Sequence, residues 1–192
     1  MKTDFKERFT EDMIDVDEVF FQDIEKYIQL ISKWNKIHNL TRMSKDEIYF
    51  SIFDSVAPLK FVNFESLLDI GSGAGFPAIP IALAQRDKKV ILVEPIKKKS
   101  SFLHYVKSSL NLSNVEIYSD RVENLNIGKV DLITSRAVTE TKFLINLATP
   151  FVKTGGQLLF YKGSNLPTEL ENLDLNYRIE KRDNRNYLLI SI

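Results

Sequence analysis

Ten residues, Leu67-Leu68-Asp69-Ile70-Gly71-Ser72-Gly73-Ala74-Gly75-Phe76, constrain this chain more than any others. An apolar run ends in a carboxylate and opens into three alternating glycines. An apolar, helix-compatible stretch follows at once. A second apolar run, Val90-Ile91-Leu92-Val93, ends at Glu94. Strand, glycine turn, helix, strand and acid form the unit that holds an adenosine-containing cofactor. The glycines supply backbone angles that a Cβ forbids, and they let the main chain approach a ligand closely. The acid at the second strand tip, 23 residues after Gly71, can accept hydrogen bonds from both ribose hydroxyls.

The glycine spacing separates cofactors. Dinucleotide folds place glycines at the first, third and sixth loop positions. Here the glycines are Gly71, Gly73 and Gly75, and the sixth position is Phe76. A large side chain there crowds helix–strand contact and obstructs a pyrophosphate. The pattern fits S-adenosylmethionine better, because that ligand has no phosphates to cradle. An NAD-dependent oxidoreductase is disfavoured for the same reason.

Composition removes other chemistries. The chain has no cysteine, which excludes thiolate nucleophiles, thiolate metal sites and iron–sulfur clusters. His38 and His104 are its only histidines, too few for a His-rich metal site. With 26 basic and 26 acidic residues there is no global field for nucleic acid, so RNA contact must rest on a local patch. No apolar run approaches the ~20 residues of a membrane span. The first ten residues lack a signal-peptide apolar stretch. A cytoplasmic protein without membrane contact is expected.

Along the chain, the first sixty residues look helical. Apolar positions recur at helical spacing over 19–34, with Asp15 and Asp17 as candidate caps, and 39–41 reads as a break. Ser44 and Glu47 form a capping box for a helix over 45–60, which Pro58 kinks. Strands are expected at 67–70, 90–93, 115–118, 130–134 and 157–161, the last after a Gly155-Gly156 turn. Helices are expected at 77–86, 97–110 and 139–149. Alternation of this kind implies a parallel sheet covered on both faces. Two final strands, 177–181 and 185–192, leave no room for a helix and should pair as a hairpin around Asp183-Asn184. The expected fold is α/β: a Rossmann-like class I methyltransferase sheet, mostly parallel with a C-terminal antiparallel hairpin. Residues 1–60 form a helical N-terminal extension, and 61–192 form the methyltransferase domain in one compact unit.

Four motifs in order resemble one family. They are Asp69 to Pro80, Asp120-Arg121-Val122-Glu123, Thr134-Ser135-Arg136-Ala137-Val138 and Tyr161-Lys162-Gly163. Together with Trp34-Asn35, Asn39-Leu40-Thr41 and Asp54-Ser55, they resemble the 16S ribosomal RNA guanine-N7 methyltransferase G family, also called GidB. The resemblance spans about 34–163. It implies methyl transfer from S-adenosylmethionine to N7 of a guanine in 16S ribosomal RNA, as naked RNA or small ribosomal subunit, by a monomer. Three departures stand out. Phe50 and Ser51 replace a basic residue and a histidine before the Asp-Ser pair, Ala78 replaces a glycine, and Glu94 replaces the commoner Asp.

Guanine N7 carries no proton, so its methylation needs no general base. The enzyme must hold N7 in line with the methyl group and remove water. Pyrimidine C5 methylation usually needs a cysteine, and amine methylation usually shows an Asn/Asp-Pro-Pro-aromatic run where this chain has Thr134-Ser135-Arg136-Ala137. Arg136 is the leading substrate-side candidate, able to donate a bidentate pair to a guanine edge, a phosphate or the cofactor carboxylate. Lys162 stands at the same sheet edge as a phosphate contact or a solvated lysine. Cofactor candidates are Asp69 for the amino group, Gly71, Gly73 and Gly75 for the loop, Phe76 as cover or packing, and Glu94 for the ribose. Val122 and Glu123 are expected to flank the adenine. Lys97-Lys98-Lys99 at a helix start, and Lys181, Arg182 and Arg185 at the hairpin, are candidate basic patches. Two other readings remain open: the same fold acting on a protein or small molecule, and a noncatalytic ribosome-assembly factor.

Overall fold

The computed structural model describes residues 2–136, 140–164, 166–170, 175–182 and 185–192. Seven strands form one sheet: β1 Ser66–Ile70, β2 Lys89–Val93, β3 Val115–Tyr118, β4 Val130–Arg136, β5 Val152–Lys162, β6 Tyr177–Arg182 and β7 Arg185–Ser191. Their order is β3-β2-β1-β4-β5-β7-β6. The first five are parallel; β7 is antiparallel to both β5 and β6. The expected mostly parallel sheet with a terminal hairpin is the architecture found. The strand order reverses between β1 and β4, so their C-terminal ends open the crevice where open α/β sheets take ligands.

Among the described residues seven α-helices accompany the sheet: α1 Lys2–Glu11, α2 Glu18–His38, α3 Lys45–Val56, α4 Ala78–Ala84, α5 Lys97–Ser109, α6 Thr141–Ala148 and α7 Leu166–Glu169. Side-chain alternation sorts the core into two layers. Leu67, Val90, Leu92 and Leu132 point into the layer shared with α1 to α5. Leu68, Ile91, Val93 and Ile133 point into the layer covered by α6 and α7. The N-terminal helices therefore pack into the same core as the sheet. Burying a large aliphatic side chain such as these contributes about 1.5–3 kcal/mol.

Local chemistry explains the helix ends. Asp17 caps α2, its Oδ1 accepting from Phe20 N at 2.7 Å. Asn39 stops α2 in the left-handed region at φ 46°. The Ser44–Glu47 capping box forms in both directions, at 2.6 and 3.3 Å. The helix that follows is α only to Val56; Ala57–Lys60 tightens into a 3-10 turn with Pro58 near its start. α4 is shorter than the expected 77–86. Pro80 is tolerated at its third position, where an N–H would have no intrahelical partner.

Two expectations need correction. Gly155-Gly156 is not a turn before the last parallel strand. It lies inside β5, which starts at Val152, and the register with β4 slips between Val130 and Leu132. Gly155 adopts φ 79°, and both glycines pair with Ile192, at 2.8 and 3.1 Å. The strand expected to end at Thr134 continues to Arg136, because Ser135 and Arg136 still pair with Phe160 and Tyr161. The expected turn at Asp183-Asn184 and the start of the helix at Thr139 lie outside the described residues, as do Ala137 and Val138.

Candidate functional site

The glycine loop is built around the tip of β2. Gly71 N and Ser72 N both donate to Val93 O, at 2.9 and 3.1 Å. Gly73 N donates to Glu94 Oε2 at 2.8 Å, and Ile96 N donates to Oε1 at 2.9 Å. Glu94 is buried, so the carboxylate at the second strand tip is oriented by amides on both sides. Gly71, Gly73 and Gly75 all take positive φ, of 77°, 59° and 102°. At Gly75 a Cβ would stand 2.6 Å from Ile79 Cγ1 and 2.7 Å from Tyr27 Oη. The Tyr27 hydroxyl donates to Ala74 O at 2.6 Å, so α2 braces the loop from behind. That tyrosine is a core residue with a positioning task.

Asp69 and Thr134 are register partners at the reversal point. Asp69 Oδ1 accepts from Thr134 Oγ1 at 2.8 Å, whereas Oδ2 is buried and has no partner. Burial pushes this carboxyl up to about 7; hydrogen bonds from Ser72 and Thr134 pull it down, Glu94 adds to the rise, and Arg136 opposes it. A buried carboxylate oxygen without a donor is costly unless a ligand completes it.

Arg136 ends β4 and lies over the same crevice. Its Nη2 donates to Ser51 Oγ at 2.9 Å, and its guanidinium is 5.8 Å from the Phe76 ring centre. Its Nη1 is 3.6 Å from Asp54 Oδ2, an ion-pair separation too long for a hydrogen bond. Both of those atoms are buried and lack hydrogen-bond partners. Four buried side-chain polar atoms among the described residues lack partners, and three of them lie here: Asp54 Oδ2, Asp69 Oδ2 and Arg136 Nη1. Two of the three, Arg136 Nη1 and Asp54 Oδ2, face each other across the ion pair. Burial lowers the Arg136 pKa, with Asp54 opposing that shift.

Asp54 is the residue that sequence reasoning undervalued. It accepts from Arg185 Nε at 3.0 Å and from the Tyr187 hydroxyl at 2.9 Å. The Tyr161 hydroxyl donates to the neighbouring Ser55 O at 2.7 Å. One polar face of α3, carrying Ser51, Asp54 and Ser55, is thus seated on the ends of β4, β5 and β7. The signal was present: three polar residues on the buried face of an otherwise apolar helix.

The other candidates are spread more widely. Phe76 is buried between Tyr27, 5.6 Å ring to ring, and Arg136. Lys162 is buried and pairs with Glu169 Oε2 at 2.7 Å, an acceptor it shares with Thr141. Val122 opens a 3-10 turn with its side chain in the second core layer, while Glu123 is exposed. Lys97 and Lys98 are exposed at the start of α5. The hairpin patch divides: Arg182 pairs with Asp12 and Arg185 with Asp54, leaving Lys181 exposed. His38 packs against Trp34 with the rings tilted by 44°, and His104 is exposed. No group of residues that could hold a metal ion occurs among the described residues. No helix among them is long and apolar enough to cross a membrane.

Sheet order, glycine loop and strand-tip acid together define a class I methyltransferase fold. Solved structures agree. Cofactor-bound Rv0187 from MTB superposes with a TM-score of 0.69 at 15% identity, over 96% of this chain and 94% of that one. M. jannaschii TYW2 in complex with AdoMet superposes with a TM-score of 0.55 at 16% identity, over 79% and 76%.

Sequence relationships narrow the class. The family described as rRNA small subunit methyltransferase G matches residues 21–190, and this chain belongs to it. A Ribosomal RNA small subunit methyltransferase G from Aliarcobacter butzleri is 46% identical over 174 residues, 89% of this chain and 90% of that protein. One of the same name from Campylobacter curvus is 42% identical over 183 residues, 94% and 96% of the two chains. The methyl donor of this methyltransferase family is S-adenosylmethionine, and the crevice fits it. Asp69 Oδ2 is a buried acceptor without a donor, which suits a cationic group, and the Glu94 carboxylate is fixed at the second strand tip by two amides.

Proposed function

We propose that this protein transfers a methyl group from S-adenosylmethionine to N7 of one guanine in 16S ribosomal RNA. It would act as a cytoplasmic monomer on the RNA or the small subunit. The observation that carries the reading is the cluster of unpaired polar atoms around Arg136 at the reversal of the sheet. A guanidinium whose Nη1 makes no hydrogen bond can donate to guanine O6 or to a phosphate beside the target. It is unsuited to face N7 itself, where a donor would occupy the lone pair that must attack.

The cofactor supplies an electrophilic methyl on a sulfonium, and everything else is positioning. Asp69 would hold the amino group through Oδ2, and the bound ammonium would favour its charged form. Glu94 would hold the ribose, its carboxylate fixed by Gly73 N and Ile96 N. Val122 and Glu123 would border the adenine, and Phe76 would close the floor beneath Arg136. Lys162, held by Glu169, would stiffen the end of β5. No proton leaves N7, so the reaction needs no base. The carboxylates of the crevice have other tasks: Asp54 holds arginines, Glu94 holds loop amides, and Asp69 faces the cofactor.

The test is transfer of labelled methyl to ribosomal RNA and small subunits from cells lacking the enzyme, followed by digestion to nucleosides. N7-methylguanosine at one position is expected. A different methylated nucleoside would overturn the N7 assignment, and no transfer to any form of the RNA would overturn the substrate.

A further inference from the structure

A groove between α2 and α3 shares no lining residue with the candidate cofactor crevice. It measures about 590 Å³. Ile28, Ile31 and Ile48 form an apolar floor, and Lys33, Lys36 and Lys45 stand along its rim. The lysines are exposed, and no acidic residue lines the groove. In a chain with equal numbers of acids and bases, that is a local excess of one sign. Lys33 and Lys36 are three apart on one helix, so they repel each other in the free protein. None of the three makes an ion pair among the described residues; Lys45 Nζ lies 5.9 Å from the Tyr49 ring centre.

Two further features make this a built surface. First, its shape is held. Asn35 Nδ2 donates to Thr41 O at 2.8 Å, and Thr41 N donates to Asn35 Oδ1 at 2.9 Å. That pair pins the α2–α3 connection and sets the separation of the two rims. Second, it is joined to the crevice wall by one side-chain contact. Met43 lines the groove, and its Sδ lies 3.4 Å from Ser51 Oγ, which accepts from Arg136.

We infer that the α2–α3 groove is the track for the RNA strand that flanks the target guanine. Phosphates meet Lys33, Lys36 and Lys45, and sugar and base faces rest on the isoleucine floor. A positively charged groove that tracks the phosphate backbone is one general element of a single-strand site. This inference rests on the ribosomal RNA reading above.

The experiment compares wild type with a Lys33→Ala/Lys36→Ala/Lys45→Ala variant. A control carries Lys60→Ala/Lys129→Ala/Lys142→Ala, three exposed lysines outside the groove. Binding of 16S RNA and of small subunits is measured against salt, beside S-adenosylmethionine affinity and steady-state transfer. Three lost phosphate contacts should lower the salt slope by roughly 2–3, at about 0.7–0.9 per contact. RNA affinity near 0.1 M salt should fall at least tenfold. KM for RNA should rise while kcat and cofactor affinity stay near wild type, and Lys→Arg at the three positions should restore binding. Unchanged affinity and slope, or an equal loss in the control, would overturn the track. A defect on subunits with normal binding of naked RNA would also overturn it, assigning the groove to a ribosomal protein. If the groove variant alone loses RNA but the methylated nucleoside is not N7-methylguanosine, the track stands and the N7 reading falls.

Discussion

Asp69→Asn should make the protein without cofactor more stable and, at the same time, poor at binding S-adenosylmethionine. The carboxyl is fully enclosed, one oxygen is without a donor, and burial pushes its pKa from 3.8 up to about 7. Between these values the folded state binds more protons than the unfolded state, so this group's contribution to stability falls as pH rises. It is intact below pH ~4 and lost through pH ~7. A rise of roughly 3 units at about 1.36 kcal/mol each sets a ceiling near 4 kcal/mol at pH 8. The amide oxygen can keep the Thr134 bond, but the new NH2 finds no evident acceptor. The expected net gain is therefore about 1–3 kcal/mol, or a rise in Tm of roughly 2–10 °C for a chain of this size. Differential scanning fluorimetry across pH 5–8 reads it. The gain should shrink toward pH 5, because most of the free-energy cost of the buried carboxyl accumulates between pH 5 and pH 7. Saturating S-adenosylmethionine should raise the Tm of wild type far more than that of the variant. A cofactor-free Tm at pH 8 that is unchanged or lower, or a gain independent of pH, would refute the reasoning. So would equal cofactor affinity in the two proteins.

Arg136→Ala should lower methyl transfer at least tenfold, and Arg136→Lys should not restore it, because one ammonium cannot address Ser51, Asp54 and a ligand in a planar fork; near wild-type transfer by the alanine variant would remove Arg136 from the site. Glu94→Ala deletes two charge-assisted bonds to loop amides, each worth about 1.5–3 kcal/mol. Cofactor Kd by calorimetry should rise at least tenfold, and a change within threefold would count against the ribose assignment. Gly75→Ala combines φ 102° with a Cβ 2.7 Å from the Tyr27 hydroxyl, so it should lower Tm by at least about 4 °C. Gly73→Ala, whose nearest contact is 3.9 Å away, should lower Tm less; the opposite ranking in thermal melts would show that Tyr27 does not brace the loop.

Much of the molecule was legible before any coordinates. Short apolar runs placed β1 to β4, and helical spacing or capping placed α2, α3 and α5, because burial leaves a mark on local sequence. Capping chemistry at Asp17 and Ser44 was equally local. The misread segments depended on neighbours. Gly155-Gly156 has the composition of a turn, yet Ile192 from the far end of the chain pairs with both residues and keeps them in a strand. β4 extends past Thr134 because β5 offers partners for Ser135 and Arg136. The basic hairpin has the composition of an exposed patch, but Asp12 and Asp54 take up two of its arginines.

Fold class, glycine loop, strand-tip acid and family are all written in local sequence, since each is a short-range pattern imposed by backbone sterics and burial. Which charges meet depends on packing. Asp54 and Arg136 are 82 residues apart in the chain and Asp54 and Arg185 are 131 apart, and nothing local records that they share one buried cluster. The same holds for Tyr27, which reaches 47 residues along the chain to brace Ala74. Burial strengthens such contacts by lowering the local dielectric, and only the packed sheet creates that burial.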